Sequence, residues 1–139
     1  MSSAAEQTHP AVENKGGVIP YLTVEDAAAT AAFYKAAFAA AEVARLPGPN
    51  GKTMHCHLHI NGNSLMLSDA FPEHGHPFVP PAGFTLHLQV TGIDAWFARA
   101  LAAGGTEIMP IEKMFWGDRY GQLRDPFGVV WSMGETPNP

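Results

Sequence analysis

Only one cysteine, Cys56, occurs in the 139 residues. An intramolecular disulfide is therefore excluded, and because Cys56 falls in a strand pattern, its thiol is expected to act as a small buried apolar group. A reducing cytoplasm fits such a chain. Charge is sparse as well: 8 Lys and Arg stand against 13 Asp and Glu, for a formal charge of -5. No run of Lys or Arg could follow a phosphate backbone, which argues against a nucleic-acid partner. No apolar run approaches the roughly 20 residues of a membrane-spanning helix, and the opening MSSAAEQTHPAVENKGG has neither a basic start nor an apolar h-region. The expectation is a cytoplasmic protein without a membrane partner, long enough to bury one core of its own. Histidine, by contrast, is abundant, with 7 residues.

Residues 1–17 are polar, small and unpatterned and read as a tail, as do residues 135–139. From Val18 the sequence reads as a strand, VIPYLTV, followed by a helix, EDAAATAAFYKAAFAA, whose acidic start suits the positive end of the helix dipole. Glu42 to Leu46 reads as a short strand before the turn-rich Pro47–Gly51. Met54 to Ile60 alternates: His55, His57 and His59 fall on one face and Cys56, Leu58 and Ile60 on the other, because strand side chains have period two. Asn61-Gly62 predicts a hairpin into Ser64–Ser68.

Residues 70–83 carry Pro72, Pro77, Pro80 and Pro81 without periodicity and read as an extended connector. Beyond it the order restarts. Phe84 to Val90 alternates, Asp94 is placed to cap a helix sharing Ile93, Phe97, Ala100 and Leu101 on one face, and Gly104-Gly105 ends it. A strand over Thr106–Ile111, a Phe115-Trp116 loop and a hairpin turning at Asp125-Pro126-Phe127-Gly128 complete the set. Leu22 and Val24 map onto Leu88 and Val90 at an offset of about 66 residues. Two βαβββ repeats, 18–69 and 84–134, thus form one domain over 18–134. The fold class is α+β: a curved, partly closed eight-stranded mixed sheet with helices on its outer face and a cleft between the repeats.

The paired modules, with YLTVEDAAATAAFYKAAF, MHCHLHINGNSLMLSD and MFWGDRYGQLRDPFGVVWS, resemble the vicinal oxygen chelate superfamily of glyoxalases, ring-cleaving dioxygenases and bleomycin-resistance proteins. The wording of MFWGDRYGQLRDPFG is most similar to its PhnB-like branch. The resemblance covers residues 18–134 and implies a small organic ligand and a homodimer, with a module swap permitted by the connector. Metal-using relatives place ligands on the first and last strands of each module, which here fall at Ile19, Met66 or Ser68, Thr85 and Ser132. None is a usual ligand for a divalent ion, so the resemblance implies a member without the usual metal site and with no cofactor. Relatives also often carry glycine where this chain has Ala39; if that position needs positive φ, alanine costs about 1 kcal/mol.

His55, His57, His59 and His87 all fall on the side expected to face the cleft. Three readings stand side by side. They line a wet cavity, bonded to Ser64, Gln89 or Tyr21. One of them, His87 or His57, moves protons on a bound substrate. Or His55, His57 and His87 hold a divalent ion in a relocated site, although imidazoles at i and i+2 stand about 6.5–7 Å apart. Phe115 and Trp116 are read as a lid or stacking wall for a planar ligand. The candidate ligand-binding set is Tyr21, His55, His57, His59, His87, Gln89, Phe115, Trp116 and Ser132, with no catalytic residue assigned. The expected function is small-molecule binding; the alternative is a metal- or histidine-dependent lyase, isomerase or dioxygenase.

Overall fold

The structure is a computed structural model and describes residues 12–138. Most of the tail expected over 1–17, and Pro139 of the other, lie outside the described residues. Chain order is β1 Tyr21–Val24, α1 Ala27–Phe38, β2 Ala41–Pro47, β3 Thr53–Ile60, β4 Asn63–Asp69, β5 Leu86–Gln89, α2 Ile93–Ala103, β6 Thr106–Lys113, β7 Arg119–Arg124 and β8 Val130–Glu135. This is the βαβββ unit twice. The eight strands divide into two four-stranded mixed sheets, ordered β1-β4-β3-β2 and β5-β8-β7-β6, not closed into a barrel. In each sheet the first strand is an outer strand and pairs parallel with the last, Tyr21 opposite Met66 and His87 opposite Ser132.

The repeat extends to the way each helix is started. Asp69, closing β4, accepts the Ala27 amide N–H at 2.7 Å. Glu135, closing β8, accepts those of Gly92 and Ile93 at 2.9 and 3.0 Å. Each carboxylate satisfies amides that a helix start leaves free, and it sits where the helix dipole favours negative charge. These bonds draw the Glu135 carboxyl below its ordinary range. The expectation that Asp94 caps α2 is corrected: the cap residue is Gly92 at φ 81, and Asp94 lies in the first turn, bonded to Arg119 at 2.7 and 2.9 Å. At the end of α1, Ala39 adopts the left-handed conformation, φ 54 and ψ 35.

Cys56, Leu58, Ile60, Leu65 and Leu67 turn to α1, and Leu123, Trp131 and Met133 belong to the same buried cluster. The helices also meet one another, Arg99 Nε donating to the Ala37 carbonyl at 2.9 Å. One core therefore serves both modules. Its centre is aromatic: the Trp131 ring lies 5.3 Å from that of Tyr34 and 4.5 Å from that of Phe38. The opposite face of each sheet is left to the polar residues.

Candidate functional site

The period-two reading of β3 holds in the structure. Cys56 and Leu58 are fully buried in the core, whereas His55, His57 and His59 share the other face with ring centroids 6.4 and 5.2 Å apart. Each imidazole has a partner. Tyr21 Oη lies 2.9 Å from His55 Nδ1, His57 Nε2 lies 2.7 Å from Ser64 Oγ, and His59 Nε2 lies 2.9 Å from the Glu13 carbonyl. Ser64 also binds the segment before β1: its Oγ accepts the Lys15 N–H at 2.8 Å, and its own N–H donates to the Lys15 carbonyl at 2.7 Å. That segment covers His57, which is buried; burial first, and the neighbouring His59 and His55 second, hold its pKa below the ordinary histidine value.

His87, Gln89 and Ser132 form a second group on the other sheet. His87 Nδ1 lies 2.7 Å from the buried Ser132 Oγ and Nε2 lies 2.8 Å from Gln89 Oε1. The Gln89 amide then donates to Thr136 Oγ1 at 2.8 Å. With an amide oxygen as its partner, Nε2 carries the proton, and Nδ1 accepts from Ser132. Tyr120 stacks on the His87 ring at 6.0 Å and an interplanar angle of 15°. Gly134 makes the arrangement possible: a Cβ there would stand 2.8 Å from Gln89 Oε1 and 2.9 Å from His87 Cε1.

Phe115 and Trp116 occupy the tip between β6 and β7, where Gly117 at φ 102 closes a turn on the Met114 carbonyl. Trp116 packs edge-on against Tyr120 at 5.7 Å, and Phe115 is 96 % exposed. The tip thus joins the module-two group through Tyr120. Asp118 and Arg119, the adjacent polar pair, are engaged internally, Arg119 by Asp94.

A cavity of about 380 Å³ lies at one end of the module-one polar face, lined by Tyr21, Thr23, Met54, Ser68, Phe71 and His76. A second, of about 350 Å³, is lined by Pro49, Met54, Phe71, His74 and His76. Of the nine residues expected to bind ligand, only Tyr21 lines either. His87 lines a different cavity, of about 300 Å³, at the module junction with Ser64, Asn61 and Trp131. From sequence, Phe71 and His76 fall in an extended connector without periodicity, with His74 and His76 either solvated or able to close over a ligand. They belong to a small hairpin, Phe71 and His76 exchanging backbone bonds of 2.7 and 3.0 Å around the Pro72–His74 turn. The available signal was Phe71-Pro72 followed by Gly75, which takes φ 81.

The positions that the resemblance implies for metal ligands carry Ile19, Met66 or Ser68, Thr85 and Ser132, side chains that are poor ligands for a divalent ion. Met66 is a strand residue opposite Tyr21 and His57, and the Ser132 hydroxyl is engaged by His87. Among the described residues no group of three or more His, Cys, Asp or Glu side chains could hold an ion, so the trio His55, His57 and His87 is not assembled. Cys56 is no substitute, being buried with its thiol pKa raised by burial.

Comparison with known proteins agrees with this architecture. The family model described as Glyoxalase/Bleomycin resistance protein/Dioxygenase superfamily matches residues 11–133. The Mycobacterium bovis protein Mb0911c is 44 % identical over 131 residues, covering 90 % of this chain and 86 % of its own length. Among solved structures, protein PA1353 from Pseudomonas aeruginosa superposes with a TM-score of 0.73 at 28 % identity, covering 88 % of this chain and 99 % of that one. The PhnB protein from Bacillus cereus, at 24 % identity and a TM-score of 0.64 over 87 % of this chain and all (100 %) of its own, shares the fold.

Proposed function

We propose, from the premise that this chain belongs to the Glyoxalase/Bleomycin resistance protein/Dioxygenase superfamily, that it is a small-molecule-binding member. The ligand sits on the polar face of module one, and binding needs no metal ion. The observation that carries the reading is the cavity of about 380 Å³ walled by Tyr21, Thr23, Met54, Ser68, Phe71 and His76. It combines apolar surface with a few convergent polar groups, as small-molecule sites do. The donor set at the usual metal positions, Ile19, Met66 or Ser68, Thr85 and Ser132, supports the metal-free part. We assign the protein to the cytoplasm, as a homodimer.

The test is a thermal-shift screen of small neutral aromatics against the full chain, repeated after chelation and with Ser68→Leu, which fills the cavity. A ligand present at about 100 times its Kd adds about 2.7 kcal/mol to stability, a rise of several degrees. The rise is expected to survive chelation and to vanish in Ser68→Leu, whose own folding is checked by circular dichroism. Hits that bind the filled variant equally, or that require the ion, overturn the assignment.

One observation bears on the enzymatic alternative: the Ser132–His87–Gln89 chain fixes the tautomer of an exposed imidazole, which could move a proton on a substrate that replaces Gln89 at Nε2. That reading requires turnover that His87→Gln abolishes without loss of ligand affinity.

A further inference from the structure

The two module-one cavities share Met54, Phe71 and His76 as lining residues, so they form adjoining compartments of one site with different chemistry. The outer one is walled by Pro49, Met54, Phe71, His74 and His76, which present a thioether, a pyrrolidine and ring faces. The inner one adds three hydroxyls, those of Tyr21, Thr23 and Ser68. No Lys, Arg, Asp or Glu side chain lines either compartment among the described residues. The nearby cation is committed elsewhere: Lys52 Nζ donates to the Ala70 carbonyl at 2.6 Å and lies 4.7 Å from the Phe71 ring centroid. A cationic ligand would lose water with no carboxylate to neutralise it, and an anionic one would find only the imidazoles of His74 and His76, which is costly. The occupant is uncharged.

The hydroxyls also have a polarity. Ser68 donates its proton to the Asp69 carbonyl at 3.1 Å, which leaves the Oγ lone pairs for the cavity. Tyr21 Oη lies 2.9 Å from His55 Nδ1. A phenol is a stronger acid than a neutral imidazole N–H, so Tyr21 donates and its oxygen likewise retains only acceptor capacity. Two of the three hydroxyls are thereby acceptors toward the site. A ligand carrying only a carbonyl or ether would place lone pair against lone pair; one carrying an O–H or N–H would satisfy both sides.

Resting on the binding reading above, we propose that the site selects an uncharged arene bearing a hydrogen-bond donor head, a phenol or arylamine, with the ring in the Met54–Phe71 compartment and the head at Tyr21 and Ser68. The test measures affinities of three naphthalenes of one shape for the full chain at pH 8: 2-naphthol, 2-methoxynaphthalene and 2-naphthoate. 2-Naphthol is expected to bind tightest. The methyl ether, unable to donate, is expected to bind about tenfold more weakly or worse, the effect of one unmade hydrogen bond. The carboxylate is expected to bind more weakly still. In Tyr21→Phe with Ser68→Ala the gap between naphthol and its ether is expected to close, while Met54→Ala weakens both alike. Equal binding of naphthol and ether, or a preference for the carboxylate, overturns the donor-head assignment and leaves a binding cavity intact. A gap that persists in the double variant overturns the placement of the head. Failure of all three to bind overturns the binding reading as well.

Discussion

Two residues carry consequences out of proportion to their size. Ala39 leaves α1 in the left-handed region at φ 54, where a Cβ crowds the carbonyl that follows it. Glycine removes that crowding but widens the unfolded ensemble. Ala39→Gly is therefore expected to stabilise by about 0.5–1 kcal/mol net, read as a higher urea midpoint at unchanged m. A lower midpoint would show that the alanine is unstrained. His57 acts through pH. Burial lowers its pKa in the folded chain, so the unfolded chain, near 6.5, takes up a proton first as pH falls. Its stabilising contribution is complete above about pH 6.5 and is lost between that value and the lower folded pKa, below which the loss levels off. The steepest slope that one proton allows is about 1.4 kcal/mol per pH unit. His57→Gln should flatten the dependence of unfolding free energy on pH just below about 6.5; an unchanged slope there in denaturation series would assign the acid sensitivity to other groups.

At the scale of elements, the turn between β7 and β8 does more than reverse the chain. Buried Asp125 accepts the amides of Phe127 and Val129 at 2.9 and 3.0 Å, Trp131 Nε1 at 3.0 Å and the Tyr34 hydroxyl at 2.6 Å. Four donors converge on one carboxylate, and one of them comes from α1, so the turn of module two is bonded to the helix of module one. Burial, and then the Asp125 charge, push the Tyr34 hydroxyl pKa well above its ordinary value and keep it a donor. Asp125→Asn turns an NH₂ toward groups that themselves donate, and the expected loss is about 3 kcal/mol, the scale for breaking a buried charged network. Tyr34→Phe, which takes away one donor, should cost nearer 1–2 kcal/mol. A loss below about 1 kcal/mol for Asp125→Asn in urea unfolding would show that the network is not carrying the junction. The turn itself was legible, because Pro126 and Gly128 announce it locally. The depth of Asp125 was not, since Tyr34 arrives from a helix far away in sequence. The same separation explains the cap of α2: Asp94 has the right chemistry at the right place, but Arg119 takes it and Glu135 supplies the carboxylate. The histidine face of β3 was legible because strand alternation is geometric. The hairpin that brings Phe71 and His76 to the cavity spans only residues 71–76, held by a few local backbone bonds beside prolines, too short to leave a period.

Considered whole, the chain leaves unfinished surfaces of complementary kinds. β1 and β5 are outer strands of their sheets, each with one edge unpaired among the described residues, and edges of this kind invite a second chain. The Phe115-Trp116 tip is apolar, and Phe115 and Trp116 are 96 % and 51 % exposed. The polar faces of the two modules bear the histidines; Ser64 and His87 meet at the junction cavity, while the cavity assigned to the ligand belongs to module one. In the homodimer proposed above, the tip of one copy would lie over the module-one face of the other, covering the apolar tip and adding to the wall of the cavity. Light scattering after size exclusion should give twice the monomer mass. Phe115→Asp should return a folded monomer, because an aromatic anchor lost from an interface centre costs about 2 kcal/mol or more and the carboxylate must also be desolvated. Trp116→Ala should leave the dimer present but weaken 2-naphthol by about 1–3 kcal/mol, the range for a stacking aromatic. The two substitutions separate the roles of the tip. If Phe115→Asp stays dimeric, the tip is not the interface; if it becomes monomeric and still binds naphthol as the parent does, the cavity is complete within one chain and the partner contributes nothing to it.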